Sequence, residues 1–227
     1  MPCFTVGVSA ARCLSAALRV PVYTFSHQSG HIAAAAYSAG CTELFAQRFL
    51  AFHVSGGTTE AVLVSPDENS PFRTELAAAT LDLNAGQLID RTGVMLGLDF
   101  PCGAQLEKLA SAYGGTVKGR ATLKDCDCCL SGIENICRRA YENGSSKEET
   151  AALCLACVEK TLSEMCAALL KRYGEMPVLF AGGVMSDKII KDSLSEKFRA
   201  YFAEPVYSAD NAAGTAFLCS RAHRHVT

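Results

Sequence analysis

His27 and His31 stand four residues apart in the string Ser26-His27-Gln28-Ser29-Gly30-His31. On a helix that spacing stacks both imidazoles on one face, one turn apart. Two such rings can take two positions of one metal coordination sphere, or form a surface or core pair that binds nothing. Ser55-Gly56-Gly57-Thr58-Thr59 combines glycines, which let backbone amides approach an anion, with hydroxyl donors. It can cradle a phosphate or simply turn a hairpin. Ala181-Gly182-Gly183-Val184 follows an apolar run and precedes a helical one, a placement that offers a helix N-terminus to a nucleotide. Asp90, in Gln87-Leu88-Ile89-Asp90-Arg91, can accept hydrogen bonds from ribose hydroxyls or lie on a solvated face. Asp210 opens the last helical stretch, where aspartate is a favoured N-cap.

Twelve cysteines are many for this length. The tightest groups are Cys126, Cys128 and Cys129, and then Cys154-Leu-Ala-Cys157. A structural zinc site usually needs two such pairs, and neither group has a matching second half nearby. The N-terminus has no basic stretch leading into a long apolar core, which argues against a secretory signal. Together with the alanine-rich helices this predicts a reduced, cytoplasmic thiol set rather than a disulfide framework. Cys154 and Cys157 then read as small core residues on a helix.

The elements that must position these groups follow from periodicity. Short apolar strands alternate with amphipathic helices, the α/β pattern. Val20–Phe25 reads as a strand, and Ser26 caps a helix from His27 to Ala39 that Gly40 ends. Phe49–Val54 and Glu60–Val64 form a hairpin around the glycine turn, and Arg73–Thr80 can add a further strand. Asn84 caps a helix to about Leu96, and a short helix runs from Ala104 to Ser111. A loop over 113–130 leads into helices near Ile133–Glu142 and Lys147–Tyr173. Val178–Ala181 is a buried-type strand and a helix starts near Asp187. A short strand near Pro205–Tyr207 precedes a last helix from Asn211 to about His223.

The 227 residues, 49% hydrophobic and 19% charged, are enough for one large or two small domains with real cores and exclude a disordered chain. No apolar run reaches the roughly 18 residues of a membrane span, so no membrane partner is expected. The net charge of −2 lacks the basic excess of a lone nucleic-acid-binding domain. If RNA is a substrate, local patches or a partner must supply the positive field.

In order along the chain come Val20-Pro-Val-Tyr-Thr-Phe-Ser-His27-Gln-Ser-Gly-His31, Val54-Ser-Gly-Gly-Thr-Thr59, Asn84-Ala-Gly-Gln-Leu-Ile-Asp90 and Leu96-Gly-Leu-Asp-Phe-Pro-Cys-Gly103. Leu130-Ser-Gly132, Phe180-Ala-Gly-Gly-Val184 and Ala209-Asp-Asn-Ala212 follow. This series resembles the tRNA N6-adenosine threonylcarbamoyltransferase family, once labelled glycoprotease or peptidase M22, from about Val6 to about Ser220. The resemblance implies a two-lobed actin-like, ribonuclease H-like ATPase fold. It implies a divalent metal, iron or zinc, on His27, His31 and Asp210. It implies an adenylate or ATP-type ligand at His53, Val54, Ser55, Gly56 and Gly57, with Asp90, Gly103 and Asp187. The implied reaction carries a threonylcarbamoyl group from its adenylate to the N6 amine of the adenosine beside the anticodon of tRNA. Accessory proteins of the same pathway are the implied partners. The old peptidase label has little support, since the histidine pair lacks the glutamate of HExxH zinc peptidases.

By the same comparison most of the first lobe is expected to be missing. Residues 1–45 would be its remnant with the metal helix, 46–204 the second lobe, and 205–227 a return to the first. Asp187 stands where the family has an amide, Glu134 where a lysine is common, and Leu83 where an acid is usual. Two changes toward acid weaken an anion site and a tRNA-facing surface. The alternative function is a non-catalytic nucleotide-binding or scaffolding paralogue in a tRNA-modification complex.

Overall fold

The computed structural model describes residues 2–68, 70–207 and 212–226, with side chains described for 5–68, 70–207 and 212–224. In chain order the elements are α1 (Pro2–Leu18), α2 (His27–Ser38), β1 (Phe49–Val54), β2 (Thr59–Ser65), β3 (Arg73–Ala79), α3 (Ala85–Met95) and α4 (Gly103–Ala112). There follow β4 (Leu123–Lys124), β5 (Asp127–Cys128), α5 (Ser131–Glu142), α6 (Lys147–Tyr173), β6 (Val178–Ala181), α7 (Lys188–Lys197), β7 (Ala200–Phe202) and α8 (Ala213–Val226).

One five-stranded sheet organises the molecule, in the order β3-β2-β1-β6-β7. The β1–β2 and β2–β3 pairs are antiparallel, while β1–β6 and β6–β7 are parallel. Antiparallel neighbours need only short turns, whereas the parallel return from β3 to β6 needs a long crossover, here α3 to α6.

Strand alternation splits the sheet into two buried faces. Leu50, Phe52 and Val54 of β1 join Leu63, Val178 and Phe180 in one core with α3 to α7. Phe49 and Ala51 join Val62, Val64 and Leu179 in a second core with Ile32, Ala33, Ala35 and Ala36 of α2 and Leu218 of α8. Each fully buried Leu or Phe contributes about 1.5–3 kcal/mol relative to exposure. Residues 27–45 and 212–226, assigned above to a first lobe, thus form the layer on one face of the sheet.

The helix starts carry their caps. Ser26 Oγ accepts the Ser29 amide at 3.0 Å and Ser146 Oγ accepts the Glu149 amide at 3.1 Å. Asn84 and Gln87 form a capping box at α3. Helices α2 and α8 cross where Gly214 meets Gly30: a Cβ on Gly214 would lie 1.8 Å from the Gly30 carbonyl oxygen. This crossing, with β1 beneath, holds the histidine helix.

The loop expected over 113–130 contains the short β4–β5 pair, and two expected strands fail. Val20–Phe25 forms no strand: among the described residues its edges find no strand to pair with, and Val20 instead bonds back to Ser15 through its amide at 3.2 Å and its carbonyl at 2.6 Å. The outer strand after β6 is Ala200–Phe202, and Pro205–Tyr207 is a turn of 3-10 helix. Parallel pairing with β6 selected the apolar Ala-Tyr-Phe run, while Pro205 lacks the amide a ladder requires. Helix α1 stands with Val6, Leu14 and Leu18 more than 60% exposed. Among the described residues no helix is long and apolar enough to cross a membrane.

Candidate functional site

The C-terminal end of β1 divides the chemistry. Because successive strand side chains point to opposite faces, His53 faces α2 and Val54 enters the opposite core, where it is fully buried. His53 thereby comes to 5.6 Å, ring centre to ring centre, from His31. The rings of His27 and His31 meet edge to face at 4.4 Å, with their Nε2 atoms 2.9 Å apart. The three histidines line a cavity of about 190 Å³. Glu60, opposite His53 in the β1–β2 register, lines it too, and its Oε1 accepts from Gln28 Nε2 at 3.4 Å. Sequence reasoning missed Glu60; the hairpin register, placing it across from His53, was the available signal.

The histidine pair fits a metal. Two nitrogens bound at about 2.0–2.1 Å around a tetrahedral ion lie about 3.3 Å apart, near the 2.9 Å seen here. Among the described residues no group of three or more His, Cys, Asp or Glu side chains is arranged to hold an ion. Asp210, the third ligand implied by the resemblance, lies outside the described residues.

On the far side of the turn after β1, a cleft of about 270 Å³ is lined by Gly56, Asp90, Gly103, Glu107, Gly183 and Asp187, among others. Its walls are linked in sequence. The Gly86 amide donates to the Ser55 carbonyl at 3.1 Å and the Ala85 amide to Thr59 Oγ1 at 2.9 Å, which fixes the start of α3 against the turn. A Cβ on Gly86 would lie 2.6 Å from the Gly56 nitrogen, so only glycine permits this approach. One turn along α3, Asp90 Oδ1 accepts the Cys102 amide at 2.8 Å and so sets Gly103 at the cleft. Gly182, at φ +106°, brings β6 against β1: a Cβ there would lie 2.2 Å from the Val54 carbonyl oxygen.

Several donors expected to face a ligand are used within the protein. Ser55 Oγ accepts the amides of Gly57 and Thr58 at 3.2 and 3.1 Å, and the Ser55 amide donates to the Thr58 carbonyl at 2.7 Å. Asp187 caps α7, its Oδ1 accepting the Ile190 amide at 3.1 Å. Glu107 Oε1 accepts the Lys188 amide at 3.0 Å. Burial pushes the Asp187 carboxyl up to about 6; the Ile190 amide opposes this and the negative Glu107 adds to it.

The other two departures have structural partners. Glu134 binds Arg91 and Arg138, each at 3.0 Å. Leu83 is a core residue, 5% exposed, and Asp82 beside it ties the start of α5. Burial works against the Asp82 charge, but bonds from the Ser131 hydroxyl and the Leu130, Leu83 and Ser131 amides outweigh it and hold its carboxyl below the usual range.

Known proteins place this geometry. A sequence model of the family described as TsaD, tRNA N6-adenosine threonylcarbamoyltransferase, matches residues 1–217. A tRNA N6-adenosine threonylcarbamoyltransferase of Methanopyrus kandleri is 27% identical over 229 residues, covering 99% of this chain and 64% of that protein. One of Lacticaseibacillus casei is 30% identical over 208 residues, covering 88% and 59%. The chain thus spans about three-fifths of the length of these relatives. Among solved structures, full-length HypF in a phosphate- and nucleotide-bound form superposes with a TM-score of 0.63 at 13% identity, over 81% of this chain and 33% of that one. Component A of the Acidaminococcus fermentans (R)-2-hydroxyglutaryl-CoA dehydratase gives 0.55 at 17% identity, over 88% and 70%. At such identities the likeness is one of fold, the actin-like ATPase architecture with a mixed sheet.

Proposed function

The chain belongs to the tRNA N6-adenosine threonylcarbamoyltransferase family, and from that premise we propose that it serves the transfer of a threonylcarbamoyl group from threonylcarbamoyl-adenylate to tRNA. The acceptor is the N6 amine of the adenosine beside the anticodon. The observation that carries this reading is the convergence of two sites at one strand end. The Nε2 atoms of His27 and His31 meet at 2.9 Å on one side of the β1–β2 turn, and the glycine-lined cleft opens on the other.

His27 and His31, with Asp210, would hold one divalent ion; two imidazoles and a carboxylate suit iron or zinc. When bound, such an ion supplies Lewis-acid polarisation of donor oxygens. The chain's own residues bind and orient. Asp90 and Gly103 hold the adenylate's ribose and base in the cleft, and the turn at Ser55–Gly57 separates that portion from the histidine cavity. In the transfer the N6–carbon bond forms, the carbon–oxygen bond to the phosphate breaks, and AMP leaves with the electron pair. The amine proton passes to solvent, and no covalent enzyme intermediate is required. Accessory proteins would deliver the donor in the cytoplasm. With a net charge of −2, a partner or a local basic patch must attract the tRNA.

A second reading, a non-catalytic nucleotide-binding or scaffolding paralogue, is favoured by one observation. Asp187 and Glu107 both fill positions at the start of α7 that a ligand anion would otherwise take. The two readings part in one assay. Synthetic threonylcarbamoyl-adenylate and an unmodified tRNA transcript are incubated with the chain and its pathway proteins, and digested nucleosides are read by mass spectrometry. Modified adenosine is expected with the wild type, falling at least tenfold in His31→Ala. No product from a wild type that still binds adenosine supports the scaffold and rejects the transferase.

A further inference from the structure

Resting on the reading of the cleft as a nucleotide site, we propose that Asp187 and Glu107 make it selective for a nucleoside and set it against free phosphate chains. Adenosine is therefore expected to bind more tightly than AMP, and AMP more tightly than ATP.

Two independent features support this. The first concerns donors. A nucleotide phosphate is usually held by backbone amides at a glycine turn and at a helix N-terminus. Both devices are present, and several of their amides are engaged internally. In the turn after β1, the amides of Gly57 and Thr58 are bonded to Ser55 Oγ and that of Ser55 to the Thr58 carbonyl. At α7, Glu107 takes the Lys188 amide and Asp187 the Ile190 amide. An incoming phosphate would have to displace carboxylates that already complement the positive end of the helix.

The second concerns charge. Asp90, Glu107 and Asp187 all line the cleft, and no lysine or arginine lines it among the described residues. Asp187 is 8% exposed, so its field is weakly screened. A phosphate close to these carboxylates is repelled, and each added charge raises the penalty. Ribose hydroxyls meet the opposite situation: they donate, and carboxylates accept. A phosphate acylated by a carbamoyl group carries less charge than a free one, so the same preference favours the proposed donor over ATP.

The test is calorimetric titration of the full chain with adenosine, AMP and ATP at pH 7.5, in EDTA so that no metal-bridged phosphate binding intervenes. Wild type is expected to bind adenosine about tenfold more tightly than ATP. Asp187→Asn, which keeps a good N-cap, and Glu107→Gln are each expected to raise the ratio of ATP to adenosine affinity about three- to tenfold. ATP binding as tight as adenosine in the wild type, or an ATP-to-adenosine ratio unmoved by both substitutions, overturns the selectivity. If Asp187→Asn melts early, Glu107→Gln decides alone. Silence of all three ligands rejects the cleft as a nucleotide site and the selectivity with it, which separates the two failures.

Discussion

His27 and His31 bring their Nε2 atoms to 2.9 Å from each other, one helical turn apart. A neutral pair can share one hydrogen bond at that distance, and a metal can replace the proton. If the pair binds metal, wild-type protein purified without chelator should hold about one divalent ion per chain. His27→Ala and His31→Ala should each lower this by about tenfold. Elemental analysis reads it directly, and the far-UV circular dichroism of the protein should not change, because His27 is exposed and His31 lines a cavity. Equal metal in all three proteins removes the site.

Gly182 is the joint between β6 and β1. Its positive φ is strained for any L side chain, and a Cβ would strike the Val54 carbonyl. Gly182→Ala should cost about 3 kcal/mol or more, through strain and separation of the two central strands. The urea midpoint measures it, and an unchanged midpoint would mean that the strands reseat freely.

Asp187 links stability to pH. Its carboxyl is pushed up from 3.8 to about 6, so the folded protein holds this proton more tightly than the unfolded chain. The favourable contribution is complete below about pH 3.8 and is lost as the pH rises through about 6. Asp187→Asn keeps the cap and cannot charge. Its stability advantage over wild type should therefore grow from near zero at pH 4 to about 2–3 kcal/mol at pH 7. Denaturation at both pH values checks the sign, and a constant difference contradicts it.

The thiols should react in a set order. Thiolate is the nucleophile, and burial pushes Cys41 and Cys166 up to about 12 and Cys128 to about 11, with the Glu43 charge adding at Cys41. Cys13 is exposed. Iodoacetamide at pH 8 should label Cys13 at least about a hundredfold faster than these three in native protein, and all four alike in denaturant. Peptide mapping by mass spectrometry follows the order, and early labelling of Cys166 would show that α6 opens.

Much of the fold was legible because local signals agreed with burial. The apolar run Phe49–Val54 became β1 with those bounds, and Lys147–Tyr173 became α6, because caps and periodicity pointed the same way. Val20–Phe25 has equally good strand composition and is no strand, since a strand exists only with a neighbour to bond. The strand expected near Pro205–Tyr207 formed instead at Ala200–Phe202 for the same reason: that run lies along β6.

The candidate site divides in the same way. The His27–His31 pair is determined by sequence alone, because four residues on a capped helix leave the two rings no choice but to share a face. The placing of Gly56, Asp90 and Gly103 at one ligand site was implied by the family resemblance, and not by any one motif's spacing. Only the tertiary structure sent His53 to the histidine cavity and Val54 to the core, since that depends on which sheet face α2 covers. It also decided that Asp187 and Glu107 meet at the start of α7 although 80 residues separate them. Spacing along the chain specifies what neighbours on one element share, and the field a ligand meets is set by packing between elements.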